Sequence, residues 1–335
     1  MGIQIAIDAM GGDYAPRNVI AGALDALREA GNRFEIIFVG NEERIRQEIH
    51  PGQSEGNHLA YTIVHAPQTI EMADSPTAAL KAKKRSSIVV GIQLHKEGKA
   101  NAFVSAGNTG AVMSASTLIL GRIPGVARPT IGAFLPSEGG ACLLLDAGAN
   151  VDCRPHHLLE FAVMGTVYAR SMLNYQNPSV GLLNIGEEST KGDERSLETF
   201  ELLSNSKLHF IGNVEGRDIL KGKANVIICD GFVGNIILKF GESLMTTLTK
   251  RFRDHATRNF LKRVWIGLMY GTVKKMFWDF DYQVFGGVPF LGVNGISIIG
   301  HGGSTPKAIK NMILRAEEMV KKNIQKEIEH SIRKV

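Results

Sequence analysis

The most informative stretch of this 335-residue chain is Val226-Ile-Ile-Cys-Asp-Gly-Phe-Val-Gly-Asn235. Its apolar, β-branched start, residues 226–229, has the length of a buried strand. Asp230 and Gly231 end that strand, and a helical pattern begins within a few residues. A strand that turns sharply into a helix places polar side chains and backbone N–H groups at the carboxyl edge of a sheet, where open α/β proteins bind ligands. We therefore expect a ligand site at this turn.

The composition is that of an ordinary folded protein, with 44% hydrophobic and 21% charged residues. Residues 1–9 alternate like a strand and do not resemble a signal peptide. The sequence contains no run of about 18 apolar residues, so we expect no membrane span. The three cysteines, Cys142, Cys153 and Cys229, lack metal-type spacing and are predicted to be reduced, buried thiols. We expect one α/β catalytic unit over residues 1–335, with a helical protrusion at about 240–280 associated with a membrane or a dimer partner.

The net charge of +5 is concentrated in one segment. Residues 250–275 contain eight Lys and Arg against one Asp, a local charge of +7, so the rest of the chain sums to −2. Local basicity predicts an anionic partner surface at one place and argues against general nucleic-acid binding.

Strand and helix patterns alternate along most of the chain, which predicts a mainly parallel, doubly wound α/β/α sheet. Residues 130–135 and 141–145 look like an antiparallel strand pair joined by a tight connection. A helical pattern extends from about 232 to 277, with glycine interruptions, and forms the predicted protrusion. A closing helix that begins at Pro306 keeps a buried apolar face as far as Ile328.

Six predicted strand ends carry small residues around Asp, Asn or His. They are residues 8–13, 105–110, 146–150, 184–186, 230–235 and 301–305. Each one alone is ordinary turn chemistry. Because a parallel sheet would bring such ends to one edge, we expect them to offer backbone N–H groups, amides and hydroxyls jointly to an oxyanion or a phosphate.

The chain lacks the short signatures of several enzyme classes. It has no P-loop, no dinucleotide-binding glycine fingerprint and no nucleophile elbow, so no covalent serine or cysteine nucleophile is indicated. His156 and His157 follow a proline and are more typical of a helix start than of a metal site, so we expect no metal. Lys191 is an isolated base near a strand end, and both a phosphate-neutralising role and a solvated loop lysine remain open.

The basic and aromatic segment 258–277 has two interpretations. Its apolar stripe is compatible with a core helix whose basic face is solvated. A basic, aromatic, amphipathic segment is also typical of an element in an anionic membrane interface. In that second interpretation the membrane-contacting side chains are those of Val264, Trp265, Leu268 and Met269.

Taken together, the motifs resemble those of the phosphate acyltransferase family PlsX, acyl-(acyl-carrier-protein):phosphate acyltransferase. The matching stretches are Ile7-Asp-Ala-Met-Gly-Gly-Asp13, Ser105-Ala-Gly-Asn-Thr-Gly-Ala111, Leu145-Asp-Ala-Gly-Ala-Asn-Val151, Gly181-Leu-Leu-Asn-Ile-Gly186, Lys191-Gly192, Phe210-Ile-Gly-Asn-Val-Glu215, Asp230-Gly-Phe-Val-Gly-Asn235 and His301-Gly302. The resemblance runs nearly end to end. It implies a homodimer with a cleft and a fold similar to phosphotransacetylases and isocitrate-type dehydrogenases.

The implied reaction is reversible attack of inorganic phosphate on the thioester of a long-chain acyl carrier protein. Its products are acyl phosphate and the free carrier, which feed phospholipid (phosphatidic acid) synthesis. Phosphate is already an anionic nucleophile and a thiolate is a tolerable leaving group, with a pKa of about 8.5, so no cofactor is expected. Catalysis then rests on positioning phosphate and stabilising the tetrahedral oxyanion.

The resemblance and this chemistry together suggest roles for individual residues. We expect Lys191 and the glycine turns to bind phosphate, Asn235 and Asn108 to donate amide hydrogen bonds, and Asp230, Asp8 and His301 to orient groups or handle protons. The expected substrate-binding residues are Gly11, Gly12, Asp13, Ser105, Asn108, Thr109, Asn150, Asn184, Gly231, Gly302 and Ser304.

The resemblance also implies partners and a location. The partners are acyl carrier protein, phosphate, an anionic membrane surface, a downstream membrane glycerol-3-phosphate acyltransferase and a second copy of the chain. The implied location is cytoplasmic, peripherally associated with the inner face of the cell membrane. Two alternatives remain open: a phosphotransacetylase that uses a short acyl-CoA, and a non-catalytic, membrane-recruited scaffold. The missing nucleotide signature disfavours a dehydrogenase.

Overall fold

A computed structural model describes residues 2–49, 59–138, 140–257 and 286–335. The strands are β1 (Ile3–Asp8), β2 (Phe34–Gly40), β3 (Tyr61–His65), β4 (Ala102–Ser105), β5 (Thr130–Ser137), β6 (Gly140–Leu145), β7 (Val180–Leu183), β8 (Phe210–Val214), β9 (Val226–Ile228), β10 (Val288–Leu291) and β11 (Ser297–Ile299). The helices are α1 (Arg17–Ala30), α2 (Glu42–Glu48), α3 (Pro76–Ala82), α4 (Ser87–Lys96), α5 (Thr109–Ala115), α6 (Pro155–Met172), α7 (Glu194–Ser204), α8 (Gly231–Thr257), α9 (Pro306–Lys321) and α10 (Ile324–Ile332).

One 11-stranded sheet runs through the described chain in the order β3-β2-β1-β4-β11-β10-β5-β6-β9-β7-β8. Most neighbours pair in parallel, as predicted, and the expected antiparallel pairing of β5 with β6 is confirmed. The short strand β10 is antiparallel to both β11 and β5, and the sequence patterns did not reveal it. With β5 and β10 between them, the group β3-β2-β1-β4-β11 runs opposite to the group β6-β9-β7-β8.

Helices cover both faces of the sheet, because alternate strand residues point to opposite sides. One apolar core extends along a whole face, where Ile5 of β1 and Val226 of β9 pack with α1, α6 and α9. The opposite face has two cores, one around Phe103 of β4 and one around Ile227 of β9. Helix α8 packs against both of them, through Leu238 and Ile237 respectively. It therefore lies where the two halves of the sheet meet.

The closing helix is not continuous, which corrects the sequence prediction. Asn323 adopts a left-handed backbone conformation, with φ of 48°, and separates α9 from α10. Asparagine tolerates this conformation better than most residues. Both helices keep their apolar side buried, at Met319 on one and Ile328 on the other. The helical spacing of the apolar residues continues across the break, so periodicity alone could not detect the break.

Helix α8 confirms the helical pattern predicted after Asp230 as far as Thr257. The remainder of that pattern, including Val264, Trp265, Leu268 and Met269, lies outside the described residues. Within the ranges that the structure describes, no helix is both long and apolar enough to cross a membrane.

Candidate active site

The structure brings the predicted site residues into two sets rather than one. The first set lies beyond the carboxyl ends of β1, β4 and β11, and the second lies beyond those of β6, β7 and β9. Because the two strand groups run in opposite directions, their carboxyl ends do not share one row along the sheet. The expectation that a parallel sheet gathers all six turns is therefore wrong in this detail.

Asp8 is the buried centre of the first set. Its carboxylate accepts hydrogen bonds from the Ser105 hydroxyl at 2.7 Å and the Met10 amide at 3.1 Å, and the Ser87 hydroxyl also contacts it. Burial raises the pKa of Asp8, although these hydrogen bonds oppose that rise. A Cβ on Gly11 would lie 2.3 Å from Asp8 Oδ2, so the glycine backbone packs directly on the carboxylate. Asp8 thus fastens the end of β1 to that of β4, and its predicted proton-handling role stays a prediction.

Asn108 is also fully engaged by the protein. Its side-chain oxygen caps α5 by accepting the Ala111 amide at 3.0 Å. Its amide nitrogen donates to the carbonyl oxygens of Glu71, Met72 and Asp74, at 3.2, 3.2 and 2.9 Å. The side chain therefore holds the preceding loop against the start of α5. Its predicted role as a donor to substrate would compete with these contacts.

The loop before α9 completes the first set by packing on the loop after β1. The Asp13 amide donates to the Gly302 carbonyl at 2.8 Å, and Gly12, with φ of 110°, would place a Cβ 3.0 Å from that same oxygen. His301 accepts the Gly303 amide at Nδ1, at 3.1 Å, so its neutral ring carries the proton on Nε2. Ser304 is buried and donates its hydroxyl to the His301 carbonyl at 2.6 Å.

Thr109, the first residue of α5, is exposed. It lies beside the first set, next to the engaged Asn108. Its predicted contact with substrate stays a prediction.

Asp146 organises the second set, although sequence reasoning noted it only as a strand end. Its fully buried carboxylate accepts from the amides of Gly148, Ala149 and Asn150 at 3.1, 2.9 and 2.8 Å. The Asn150 side chain donates to it at 2.7 Å and to Pro129 O at 2.8 Å. Burial raises the pKa of Asp146, and the hydrogen bonds counteract that rise. The turn after β6 is therefore wound tightly around one carboxylate.

Asp230 holds the start of α8 in place. One carboxylate oxygen accepts the Val233 amide at 2.8 Å, which caps the helix, and the other pairs with Arg195 at 2.7 Å. Arg195 also reaches Asp193 at 3.4 Å. Asp230 is thus a structural anchor in this structure, and its predicted proton-handling role stays untested. Arg195 was missed because no sequence pattern links a residue in the first turn of α7 to a strand end 35 positions later.

Two glycines at the start of α8 allow its backbone to touch the turn after β6. A Cβ on Gly231 would lie 2.8 Å from Asn150 O, and one on Gly234 would lie 1.8 Å from Asp146 O. The Gly231 amide uses this closeness to donate to Asn150 O at 2.8 Å. The glycines of the opening stretch are therefore required by close backbone approach.

Lys191 and Asn235 are two predicted catalytic residues whose polar groups stay available. Both are exposed, and across the described ranges neither side chain forms a hydrogen bond or an ion pair. Lys191 lies in the loop between β7 and α7, residues 184–193, which we call the lysine loop. Asn184 fixes this loop by donating its side-chain amide to Lys191 O at 2.9 Å. The Asn235 side chain lies against Gly148, where an added Cβ would meet it at 3.4 Å. A cation thus stands on a held loop, and an amide donor stands near the start of α8.

Shared contacts connect the elements of the two sets. Within the second set, ion pairs of Arg195 with Asp193 and Asp230 join the loop that carries Lys191 to the start of α8. Val112 of α5, just after the first set, shares an apolar core with Ala149 of the Asp146 turn and Leu238 of α8. The core around Phe103 therefore lies between the elements that carry the two sets.

Among the described residues, the acidic cluster and the cysteines are poorly suited to a metal-dependent or thiol-based mechanism. The carboxylates of Glu187, Glu215 and Asp218 lie within 4.8 Å of one another, but Lys223 already pairs with two of them, at 2.9 and 3.7 Å. All three cysteines are free and buried, as predicted. Burial raises the pKa of Cys142 to about 12, which keeps that thiol protonated and unreactive.

Comparisons with known proteins agree with this picture. The family model described as "Fatty acid synthesis protein" matches residues 3–327. The chain is 49% identical over 335 residues to a phosphate acyltransferase of Chlorobaculum parvum, covering 97% of this chain and 98% of that protein. It is 48% identical over 333 residues to a phosphate acyltransferase of Pelotomaculum thermopropionicum, covering 99% and 96%. A phosphotransacetylase structure from Streptococcus pyogenes matches with a TM-score of 0.64 at 18% identity, over 95% of this chain and 94% of that one.

The fold is that of the phosphotransacetylase class, an α/β architecture with a mostly parallel sheet. The chain belongs to the phosphate acyltransferase family and is an acyltransferase. This assignment is inconsistent with the non-catalytic scaffold considered from the sequence.

Proposed function

We propose that the protein transfers a long-chain acyl group reversibly from acyl carrier protein to inorganic phosphate, and so feeds phosphatidic acid synthesis. The observation that carries this proposal is the contrast within the second set. Asp146, Asn150 and Asp230 are engaged by internal hydrogen bonds and an ion pair, whereas Lys191 and Asn235 are exposed on neighbouring elements. An unpaired cation and a free amide donor suit a phosphate and a developing oxyanion.

In the proposed reaction a phosphate oxygen attacks the thioester carbonyl carbon directly. A C–O bond forms, the carbonyl oxygen becomes a tetrahedral oxyanion, and the C–S bond then breaks to release the carrier thiolate, which takes up a proton. Lys191 would balance the phosphate charge and Asn235 would donate to the oxyanion. His301, with its Nε2 proton, is a candidate donor to the leaving sulfur. No covalent enzyme intermediate is required, in keeping with the raised pKa of the buried Cys142 thiol.

The test is phosphate-dependent thiol release from palmitoyl acyl carrier protein by Lys191→Met and Asn235→Ala. Losing one oxyanion donor should lower kcat about 10²–10³-fold. Lys191→Met should raise the KM for phosphate. Lys191→Arg should bring this KM part of the way back to the wild-type value, because it restores the positive charge. Lys326→Met, an exposed lysine on α10, is the matched control and should leave both constants unchanged. Near-normal turnover of both Lys191→Met and Asn235→Ala would show that the residue assignment is wrong.

The donor is decided by the same assay. Palmitoyl acyl carrier protein and acetyl-CoA are compared at equal concentration, with thiol release as the readout. We expect a higher kcat/KM with the carrier-bound long chain. A preference for acetyl-CoA would instead support the short-chain phosphotransacetylase alternative.

We also propose a homodimer formed through α8. Ile236, Phe240, Leu244 and Leu248 are exposed large apolar side chains spaced four residues apart, so they form one stripe. An exposed apolar stripe of this length is typical of a surface covered by another chain. Phe240→Glu combined with Leu244→Glu should halve the mass measured by light scattering, whereas Thr249→Glu, beside the stripe, should not. An unchanged mass for the double variant would exclude this interface.

Peripheral attachment to the inner face of the membrane belongs to the same proposal. An acyl phosphate is amphiphilic, and its expected consumer is a membrane glycerol-3-phosphate acyltransferase. The basic, aromatic segment at 258–277, which follows α8, supports attachment by its composition. Replacing Val264, Trp265 and Leu268 by serine should release the protein from anionic liposomes in a sedimentation assay. Unchanged sedimentation would reject membrane contact by this segment.

A further inference from the structure

An exposed basic patch at the end of α3 is not used by the proposed chemistry. The patch consists of Lys81, Lys84 and Arg85, and we call it the α3 patch. All three side chains are exposed, and in the parts of the chain that the structure covers none of them forms an ion pair. Their charges are therefore directed at solvent or at a partner.

The α3 patch is built on an element that also borders the first set. Pro76, at the other end of α3, packs so closely on Gly110 that an added Cβ there would lie 2.6 Å from its Cγ. Asp74, just before α3, accepts the Asn108 amide at its carbonyl, at 2.9 Å. Helix α3 has seven residues and is about 10 Å long. One short helix thus separates the α3 patch from the turn that contains Gly110.

Internal contacts fix the segment that presents these charges. Lys83 pairs with Asp74 at 2.5 Å, so its charge is balanced within the loop. The Arg85 amide donates to the Gln68 side chain at 2.9 Å, which leaves the guanidinium outside. The backbone is held at the point where the charges project, so the patch is preorganised.

We propose that the α3 patch docks the acidic acyl carrier protein while its thioester arm reaches the site. This inference rests on the proposed function, because that function supplies the carrier as donor. Such a carrier is a small acidic protein that presents its acyl group at the end of a flexible arm. It needs a cationic surface beside the site, and the α3 patch lies one short helix away from the first set. Complementary charge would steer the encounter and make it sensitive to salt.

The composition of the patch favours a protein partner over a lipid surface. An interfacial membrane element combines cations with large apolar side chains that enter the bilayer. The sequence Lys81-Ala-Lys-Lys-Arg85 has no large apolar residue, and the buried side chain within α3 is Ala79. The patch therefore attracts a partner only through its charge, as charged residues at the rim of a protein–protein interface do.

The experiment measures the Kd of palmitoyl acyl carrier protein by fluorescence anisotropy for three forms of the full chain. They are the wild type, Lys84→Glu/Arg85→Glu, and the control Lys326→Glu/Lys334→Glu, which makes the same charge change on exposed lysines at the carboxyl terminus. The patch variant should bind the carrier about tenfold or more weakly. Its Kd should also lose most of its dependence on ionic strength, and the control should behave as the wild type does.

Every outcome decides the proposal. Equal carrier affinity of the patch variant and the wild type, or no carrier binding by the wild type, would overturn it. Loss of binding to phosphatidylglycerol vesicles with unchanged carrier affinity would overturn it in favour of a lipid surface. Thiol release from acyl-pantetheine, a donor without the protein, should be unchanged in the patch variant. If the wild type binds carrier at the patch but releases no thiol, the proposed function fails and the docking surface stands.

Discussion

Gly234→Ala should destabilise the protein because the new methyl group would collide with the backbone of the Asp146 turn. An ideal Cβ at this position lies 1.8 Å from Asp146 O, whereas Cβ atoms essentially never approach another atom closer than 3.0 Å. The two groups must therefore separate by at least 1.2 Å. The oxygen belongs to a residue whose carboxylate is held by several amides, so the turn cannot move aside freely.

The size of the effect follows from a comparison within the same helix. Gly241 has nothing within 4 Å of an added Cβ, so Gly241→Ala should stabilise the helix by up to about 1 kcal/mol. The same helix-propensity gain applies to Gly234→Ala, so the difference between the two variants isolates the collision. Overpacking of this kind costs about 1–3 kcal/mol, and a rigid backbone partner favours the upper end.

Thermal unfolding followed by circular dichroism would measure this difference. An unfolding entropy of about 2.1 cal/mol/K per residue gives about 0.7 kcal/mol/K for the whole chain. A difference of about 3 kcal/mol then separates the two melting temperatures by about 4 °C, at one fixed protein concentration. The kcat of Gly234→Ala should also fall, because Asn235 directly follows Gly234 in α8. A Gly234→Ala variant as stable and active as Gly241→Ala would refute the close approach of α8 to the turn.

Two further predictions concern charged and titratable groups. Arg195→Met should destabilise the protein more than Asp230→Asn does. The first change leaves the Asp230 carboxylate unpaired although its side chain is only 5% exposed, whereas asparagine at position 230 removes the charge and keeps the helix cap. Equal denaturant midpoints for the two variants would contradict this. Burial first, and nearby positive charges second, lower the pKa of His157 to about 4, so folding stability should fall as the pH drops from about 6.5 towards that value. His157→Gln, which can still accept the Arg154 amide, should remove this dependence, and His156→Gln should retain it.

Part of the second set could be anticipated from residue type and position. A strand end followed by glycines and a helix start predicted the ligand turn at 226–235, and the structure places Asp230 and Asn235 there. What could not be anticipated is which of these polar groups remain available. Asp230 is engaged because Arg195 arrives from a different element, and Asn108 is engaged because three carbonyls of a distant loop converge on it.

Local sequence patterns were enough to predict the main elements of this protein, and its motifs were enough to indicate its family. Periodicity of 2 or 3.6 residues and turn chemistry are local properties, so they predicted the strands, the helices and the pairing of β5 with β6. How these elements share a site depends on the tertiary structure. The antiparallel pairing of β5 with β6 sets the two strand groups in opposite directions, and β10 enters the sheet between β11 and β5. Helix α8 closes on the turn after β6 through Gly234. Strand direction and backbone approach depend on contacts between residues far apart in the chain, and such contacts leave no periodic trace in the sequence.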